Sequence, residues 1–354
     1  MAGLDRAKRF CDRFGMRVPV LQAPMAGSSP VDLAAAVANA GGMGGLGAVL
    51  EPPDRISAWA EQFRARSAGP FQINLWIPES ADDDPTGRER RADDARVFLA
   101  RFGPAGDSVE VPPPPAFDEQ CEALLEARPA VISSTMGVFE PEYVERLHAR
   151  GIAWFACATN LDDALAAQNA GADVVVAQGM EAGGHRGTFD QDDTGHSDVG
   201  LFALLPWLAD HLTVPVVATG SIADGRAVAA ALTLGASAVQ VGTGLLACPE
   251  TGTDPEWISA LRGLAPDATV ATRAYTGRLA RAVSTAYLKA WSEPDAPTPA
   301  RFPDQLQLVT QWRRGGNAVD RASYWAGQSA ALAVEAPAGE VVARMWREAS
   351  GLIT

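Results

Sequence analysis

Short apolar runs alternate with longer segments of helical period along this chain. Segments 17–22, 43–49, 71–76, 130–134, 153–158, 173–178, 214–219 and 238–241 are apolar or alternating and are bounded by Gly, Pro or polar residues, which predicts eight strands. Between them lie alanine- and leucine-rich stretches. Ser29-Pro30-Val31-Asp32 predicts a helix start, with Ser29 as N-cap, Pro at N1 and an acid at N3. That helix, 31–40, stops at Gly41, in the position after a helix that glycine favours. A weak repeat runs through the pattern. Asn39-Ala40-Gly41-Gly42, Asn169-Ala170-Gly171-Ala172 and Leu234-Gly235-Ala236 each end a helix and start a strand. Eight βα units before about residue 245 predict an α/β protein, a (β/α)8 TIM barrel. Pattern alone leaves a doubly wound sheet open.

Two segments break the rhythm. Residues 78–115 hold Asp82-Asp83-Asp84-Pro85, a charged stretch and a proline run. They read as an inserted, partly helical and solvated excursion after the third strand. After Cys248, segments 257–263, 277–291 and 321–334 have helical periodicity. The expected organisation is a barrel over 1–248 and a C-terminal helical extension over 249–354 packed on it.

Composition narrows the function classes. The chain has 354 residues, 47% of them hydrophobic, and a net charge of −14, which argues against nucleic-acid binding. No apolar run approaches a membrane span and no secretory leader is evident, so a cytoplasmic protein is expected. Cys11, Cys121, Cys157 and Cys248 are widely spaced and read as reduced thiols. His148, His196 and His211 share no ligand spacing, and no metal site is expected.

Candidate chemistry gathers where strands should end. The run 173–178 passes into Gly179-Met180-Glu181-Ala182-Gly183-Gly184-His185-Arg186-Gly187. Such a loop follows the C-terminal end of a strand, where ligands bind in parallel α/β folds, and His185 can exchange a proton near neutral pH. A glycine-rich turn with a solvated histidine is the alternative. Thr219-Gly220-Ser221-Ile222 precedes a helix, and Gln240-Val241-Gly242-Thr243 follows the last strand. Together these two turns predict a phosphate clamp, with tight turns lacking a ligand as the alternative. Asn74 and Gln178 would reach the barrel mouth, where an amide suits a flavin edge or is simply a satisfied buried group. Pro24 and Met25 close the first strand with a small, soft surface suited to a flat ring. No GxGxxG or Walker motif is present.

These blocks resemble the nitronate monooxygenase family, formerly called 2-nitropropane dioxygenases. The resemblance rests on Gln22-Ala23-Pro24-Met25-Ala26-Gly27, Asn39-Ala40-Gly41-Gly42-Met43-Gly44, the 177–187 loop and Gln240-Val241-Gly242-Thr243. It extends to Tyr275-Thr276-Gly277-Arg278-Leu279-Ala280-Arg281 and Trp325-Ala326-Gly327-Gln328, and spans nearly the whole chain outside 78–115. It implies an FMN-binding TIM barrel with flavin contacts at Pro24, Met25, Asn74, Gln178, Gly183, Gly220, Ser221, Gln240, Val241, Gly242 and Thr243. It implies His185 as catalytic base near the flavin N5. The implied reaction is oxidation of alkyl nitronates or nitroalkanes with O2 to a carbonyl compound and nitrite. Small-molecule substrate, O2 and a homodimer partner are the implied associations. Two departures stand out. The family's Gly-Gly-Ile phosphate turn is Gly220-Ser221-Ile222 here, and Ser keeps the N–H. The end of the fourth strand, Ser133-Ser134-Thr135-Met136-Gly137, lacks an aromatic or histidine, which bears on substrate rather than cofactor. FMN-dependent, NADH-linked enoyl-ACP reductases share the Glu-x-Gly-Gly-His loop and are the second reading. A flavin-binding protein without chemistry is the third.

Overall fold

The computed structural model describes residues 2–78, 84–104, 113–190, 198–316, 319–320 and 322–353. Arg321, His196 and parts of the 78–115 insertion therefore lie outside the described residues. The strands, in chain order, are β1 Val20–Gln22, β2 Gly44–Gly47, β3 Phe71–Trp76, β4 Val131–Thr135, β5 Ala153–Ala158, β6 Val174–Gln178, β7 Gly184–His185, β8 Val216–Thr219, β9 Ala238–Val241, β10 Thr269–Thr272 and β11 Ala280–Val283. Eight of them form a parallel sheet in the order β1-β9-β8-β6-β5-β4-β3-β2. A bridge between Leu21 and Met43 brings the two edges together. Helices alternate with these strands, so the architecture is a TIM barrel.

The first strand is shorter than its apolar pattern. Arg17 and Val18 both donate their N–H to Gly41 O and so join a turn instead of the ladder. Ser29 does not cap the helix that follows. The helix spans Val31–Asn39 and its N-cap is Pro30, without a side-chain bond. The Ser29 hydroxyl instead spans the preceding loop, accepting from Met25 N at 2.8 Å and donating to Met25 O at 2.9 Å.

Strand alternation sorts the barrel into two faces. Outward residues such as Ile73, Leu75, Trp154, Val175, Val216 and Val239 pack beneath the helices. The interior floor is apolar: Leu21, Met43, Val131, Phe155, Val174, Val176 and Val217 cluster with Phe10 and Phe14. The last two come from an N-terminal helix, Ala2–Phe14, and Phe14 meets Phe155 edge-on at 5.0 Å. Above the floor lies a glutamine layer. Gln72 Nε2 donates to Gln22 O and to Gln240 Oε1, and Gln22 Nε2 donates to Gly45 O. Interior polarity thus rises toward the strand C-termini.

The C-terminal part is not purely helical. Residues 277–291 carry β11 and a short helix, Ala286–Trp291. β11 pairs antiparallel with β10 and with β7. Arg281 is buried in this strand, donating to Met180 O and to Thr269, so tertiary pairing overrides the local helical period. Within 321–334 a single short 3₁₀ turn, Ala330–Leu332, is present among the described residues, and Trp325 bridges Ala282. The described part of the insertion is largely helical, with one face packed on the protein and the other solvated. Its helix Pro85–Leu99 begins where Asp84 accepts from Gly87 N at 2.9 Å. The helix buries Ala95 and Leu99 against Tyr275, Tyr287 and Trp312. Arg88 grips Asp304 with two bonds of 2.6 and 2.7 Å.

The last helix, Ala338–Ile353, lies on the barrel helix Gly225–Thr233, with Val341, Val342 and Met345 in the same core as Val228 and Leu232. A Cβ at Gly225 would lie 2.3 Å from Glu348 Cβ and 2.9 Å from Met345 O. Gly→Ala at an exposed helical site stabilises by about 1 kcal/mol. Here Gly225→Ala should destabilise, by about 1–3 kcal/mol through overpacking. Urea unfolding of the two proteins reads the sign, and a more stable variant would show that the C-terminal helix does not dock there.

Candidate active site

A cleft of about 270 Å³ opens at the C-terminal end of the barrel strands. Pro24, Met25, Asn74, Gln178, Gly183, His185, Gly220, Ser221, Gln240, Gly242 and Thr243 all line it. Val241 does not. Its side chain is buried in the layer between barrel and helices, and its carbonyl accepts from Ala23 N at 2.8 Å. The alternation that turns Gln240 inward turns Val241 outward.

The histidine segment is a held strand rather than a free turn. β7 pairs His185 with Ala280 and Gly184 with Arg281. Gln178 ties down the same segment. Its Nε2 donates to His185 O at 2.9 Å, and its Oε1 accepts from Gly187 N at 2.8 Å. Arg186 Nη1 donates to Gln178 O and Gly179 O at 3.0 and 2.7 Å. Glu181 faces away from chemistry: its carboxylate accepts from Leu201 N at 3.0 Å, at the start of the helix Leu201–His211. Three glycines of this stretch serve packing. A Cβ at Gly179 would meet Leu201, one at Gly183 would lie 2.4 Å from Gly327 N, and one at Gly187 would lie 2.6 Å from Cys157 Sγ.

The His185 ring sits between Trp76 and Trp325, with centroids at 4.5 and 4.9 Å. Its Nε2 lies 2.9 Å from Thr276 Oγ1. That hydroxyl is also 3.4 Å from Arg278 O and 3.3 Å from Arg278 N. Nδ1 makes no hydrogen bond among the described residues. Burial pushes the imidazole down to about 3, and the nearby Arg278 charge acts in the same direction. The ring is therefore neutral at physiological pH. Cys157 also lines the cleft, but burial pushes its thiol up to about 12, so it carries no thiolate.

The two turns opposite offer donors. Gly220 and Ser221 have φ of +113° and +53°, values that favour glycine and that Ser221 adopts at some strain. Gly220, Ser221, Gly242 and Thr243 line the cleft; Gly220 N–H continues the ladder toward Gln240 O, while the N–H groups of Ser221, Gly242 and Thr243 have no acceptor among the described residues. Gln240 Nε2 is likewise free of an acceptor there, while its Oε1 is held by Gln72. A concave set of unengaged backbone donors fits a phosphate group, and Met25, Gln240 and Ser133 beside it fit an amphipathic ring. Asn74 spends its amide nitrogen on β4, donating to Ser133 O, Ser133 Oγ and Thr135 Oγ1 at 3.1 Å each.

Trp76, Thr276, Phe302 and Trp325 line the site although none carries a site role in the sequence reading, Thr276 and Trp325 entering only as parts of motifs. Trp76 had a signal: two residues after Asn74 on one strand, it must share the inward face. The other three arrive from the C-terminal part. Gly327 N donates to Thr243 Oγ1 at 3.0 Å and Gln328 N to Glu181 O at 3.0 Å, which seats Trp325 beside the histidine. Of the other histidines, His148 lies 3.1 Å from Asp173 and His211 bonds Trp207 O, both exposed and outside the cleft lining.

A family profile for nitronate monooxygenase matches residues 8–348. A nitronate monooxygenase from Paraburkholderia phytofirmans is 37% identical over 94% of this chain and 93% of its own length. A crystal structure of nitroalkane oxidase from Streptomyces ansochromogenes superposes with a TM-score of 0.84 at 34% identity, covering 97% of this chain and 98% of that one. FabK from Thermotoga maritima superposes with a TM-score of 0.73 at 25% identity, covering 98% and 96%. With a match across almost the whole chain and a cleft of this form, the chain belongs to the nitronate monooxygenase family and is a flavin-dependent oxidoreductase.

Proposed function

We propose that this chain binds FMN in the cleft and oxidises alkyl nitronates and nitroalkanes with O2 to carbonyl compounds and nitrite, with His185 as the base that removes the α-proton of neutral nitroalkanes. One observation carries the reading: a neutral imidazole with an open nitrogen faces the same cleft as the unengaged N–H donors of Ser221, Gly242 and Thr243. Those donors would hold the phosphate, and Met25, Gln240 and Ser133 would border the ring system. When bound, FMN supplies the electron transfer between substrate and O2. Free, buried cysteines suit a reducing, cytoplasmic setting.

Thr276 sets the tautomer on this reading. On the same reading the Thr276 hydroxyl gives its proton to Arg278 O at 3.4 Å and not to His185 Nε2 at 2.9 Å. Its oxygen then accepts from Nε2–H of His185 and from Arg278 N–H. The lone pair is left on Nδ1, the atom that would take the α-proton.

Oxygen uptake by the FMN-loaded protein with a nitronate and no NADH should be robust. Rapid reduction of bound FMN by NADH, with no nitronate turnover, would replace this reading with the reductase one. The cofactor site has its own test. Ser221→Glu places an acid beside the phosphate and should weaken FMN binding, whereas Ser221→Gly should retain it and relieve the positive φ. Unchanged affinity in Ser221→Glu, read by fluorescence titration, means that the phosphate lies elsewhere.

Loss of the base should separate the two substrate forms. His185→Asn should cut nitroalkane turnover by about 10²–10⁴-fold while sparing preformed nitronate, which has no α-proton to lose. Thr276→Val should follow it, costing at least about tenfold on the nitroalkane, with Thr276→Ser restoring the rate. Equal losses on both substrates would assign His185 to orientation.

The depressed imidazole makes a pH prediction with a definite sign. A group held neutral down to about pH 3 stays available as a base through mild acid. Nitroalkane kcat/KM should therefore stay level from about pH 8 to about pH 5, whereas an imidazole of ordinary pKa, about 6.5, would cost roughly thirtyfold by about pH 5. A fall centred near 6.5 would show that His185 titrates as an ordinary imidazole.

A further inference from the structure

The cleft walls beyond the histidine name a substrate class. Trp76 and Trp325 flank the His185 ring, and Phe302 packs on Trp76 with centroids 5.5 Å apart. Leu306 and Leu50 line the same cleft, and Leu50 is 49% exposed. The polar groups that share the lining with them are hydroxyls, amides and backbone. Among the described residues, no Lys, Arg, Asp or Glu side chain lines the cleft.

These walls come from four separate parts of the chain, Leu50 following β2. Trp76 ends β3, Phe302 lies just before and Leu306 within the first turn of the helix Asp304–Arg314, and Trp325 is seated by the bonds of its neighbours Ala326 and Gly327. The Phe302 ring also has Arg278 within 5.8 Å, but that guanidinium is buried and is absent from the lining. A substrate group entering past the histidine thus exchanges water for aromatic and aliphatic carbon. An apolar group gains from that exchange in proportion to the area covered. A carboxylate loses its hydration there and meets no cation among the described lining residues to replace it.

We infer that the substrates of this cleft are nitro compounds whose far end is an aryl or alkyl group, and that carboxylate-bearing nitro compounds are disfavoured by the aromatic and leucine wall formed by Trp76, Phe302, Trp325, Leu306 and Leu50. The inference rests on the proposed nitroalkane chemistry for the identity of the nitro group, and on the walls alone for the nature of the far end.

The test uses two probes that cannot be turned over, because their nitro-bearing carbon has no hydrogen. Nitrobenzene and 4-nitrobenzoate differ by one carboxylate. Calorimetric titration of the FMN-loaded protein should show nitrobenzene binding at least about tenfold more tightly. Leu306→Arg and, separately, Leu50→Arg put a cation on the wall and should narrow or reverse that difference by strengthening 4-nitrobenzoate binding. Leu50 is exposed enough for its variant to leave the fold intact. Equal affinity in the parent protein, or tighter binding of 4-nitrobenzoate, overturns the inference. So does a difference that neither arginine variant changes. Failure of the oxidation reading looks different: nitronates would not be consumed, while the preference between the two probes would persist.

Discussion

The pairing of β7 with β11 is the contact on which the cleft depends. β7 is only Gly184 and His185, and a two-residue strand cannot hold itself. It is fixed by the antiparallel register to Arg281 and Ala280, by Arg186 N donating to Leu279 O at 2.9 Å, and by Gln178 beneath it. The histidine therefore takes its position from the barrel and from the C-terminal part at once. The barrel delivers it at the end of β6, and the C-terminal sheet holds it still. Gly183 shows how tight the junction is, because any side chain there would enter the backbone of Ala326 and Gly327. The segment that closes the cleft and the segment that carries the histidine touch backbone to backbone.

The barrel interior explains why the cleft lies at one end. The floor is filled by Phe155, Val176, Met43 and the two N-terminal phenylalanines, which leave no polar atom needing a partner. The glutamine layer above satisfies itself in part and leaves Gln240 Nε2 open upward. The rim then presents Asn74, Thr219 and Gln178, whose amides and hydroxyl are tied to neighbouring strands. A polar ligand can be received only where the interior turns polar, and the alternation of residues along β3, β6 and β9 decides where that is.

Much of this could be read from the sequence, and the boundary is physical. Strands β3, β5 and β9 match their apolar patterns at both ends, because a strand buried on both faces needs an unbroken run. The 220–221 turn was legible because positive φ restricts residue choice, although Ser221 meets that demand without being glycine. The Val241 side chain points away from the cleft, and a motif names neighbours without asking which way each one points. Ser29 has the composition of a cap and spends its hydroxyl on Met25 instead. The C-terminal contribution was invisible to local reasoning. Thr276 reaches His185 across 91 residues of sequence, and β11 carries the buried Arg281 in a helical period that its partners override. The helices Asp304–Arg314 and Ala338–Ile353 follow ordinary amphipathic spacing and were within reach of the same pattern reading that found the barrel.

The histidine's low basicity and its proposed role as a base agree once the charge of the product is counted. In the free cleft, an imidazolium would be desolvated by Trp76 and Trp325 and repelled by Arg278, which is what keeps the ring neutral. In the proposed reaction a neutral nitroalkane would enter without charge, and the proton it gave to Nδ1 would leave a nitronate in the same apolar space. The two charges appear together and adjacent. Attraction between them is strongest in the low-dielectric setting that penalised the imidazolium alone. The walls that depress the free imidazole therefore favour the proton on it only while the nitronate is present. On this reading the base recovers its neutral form as soon as the anion is consumed.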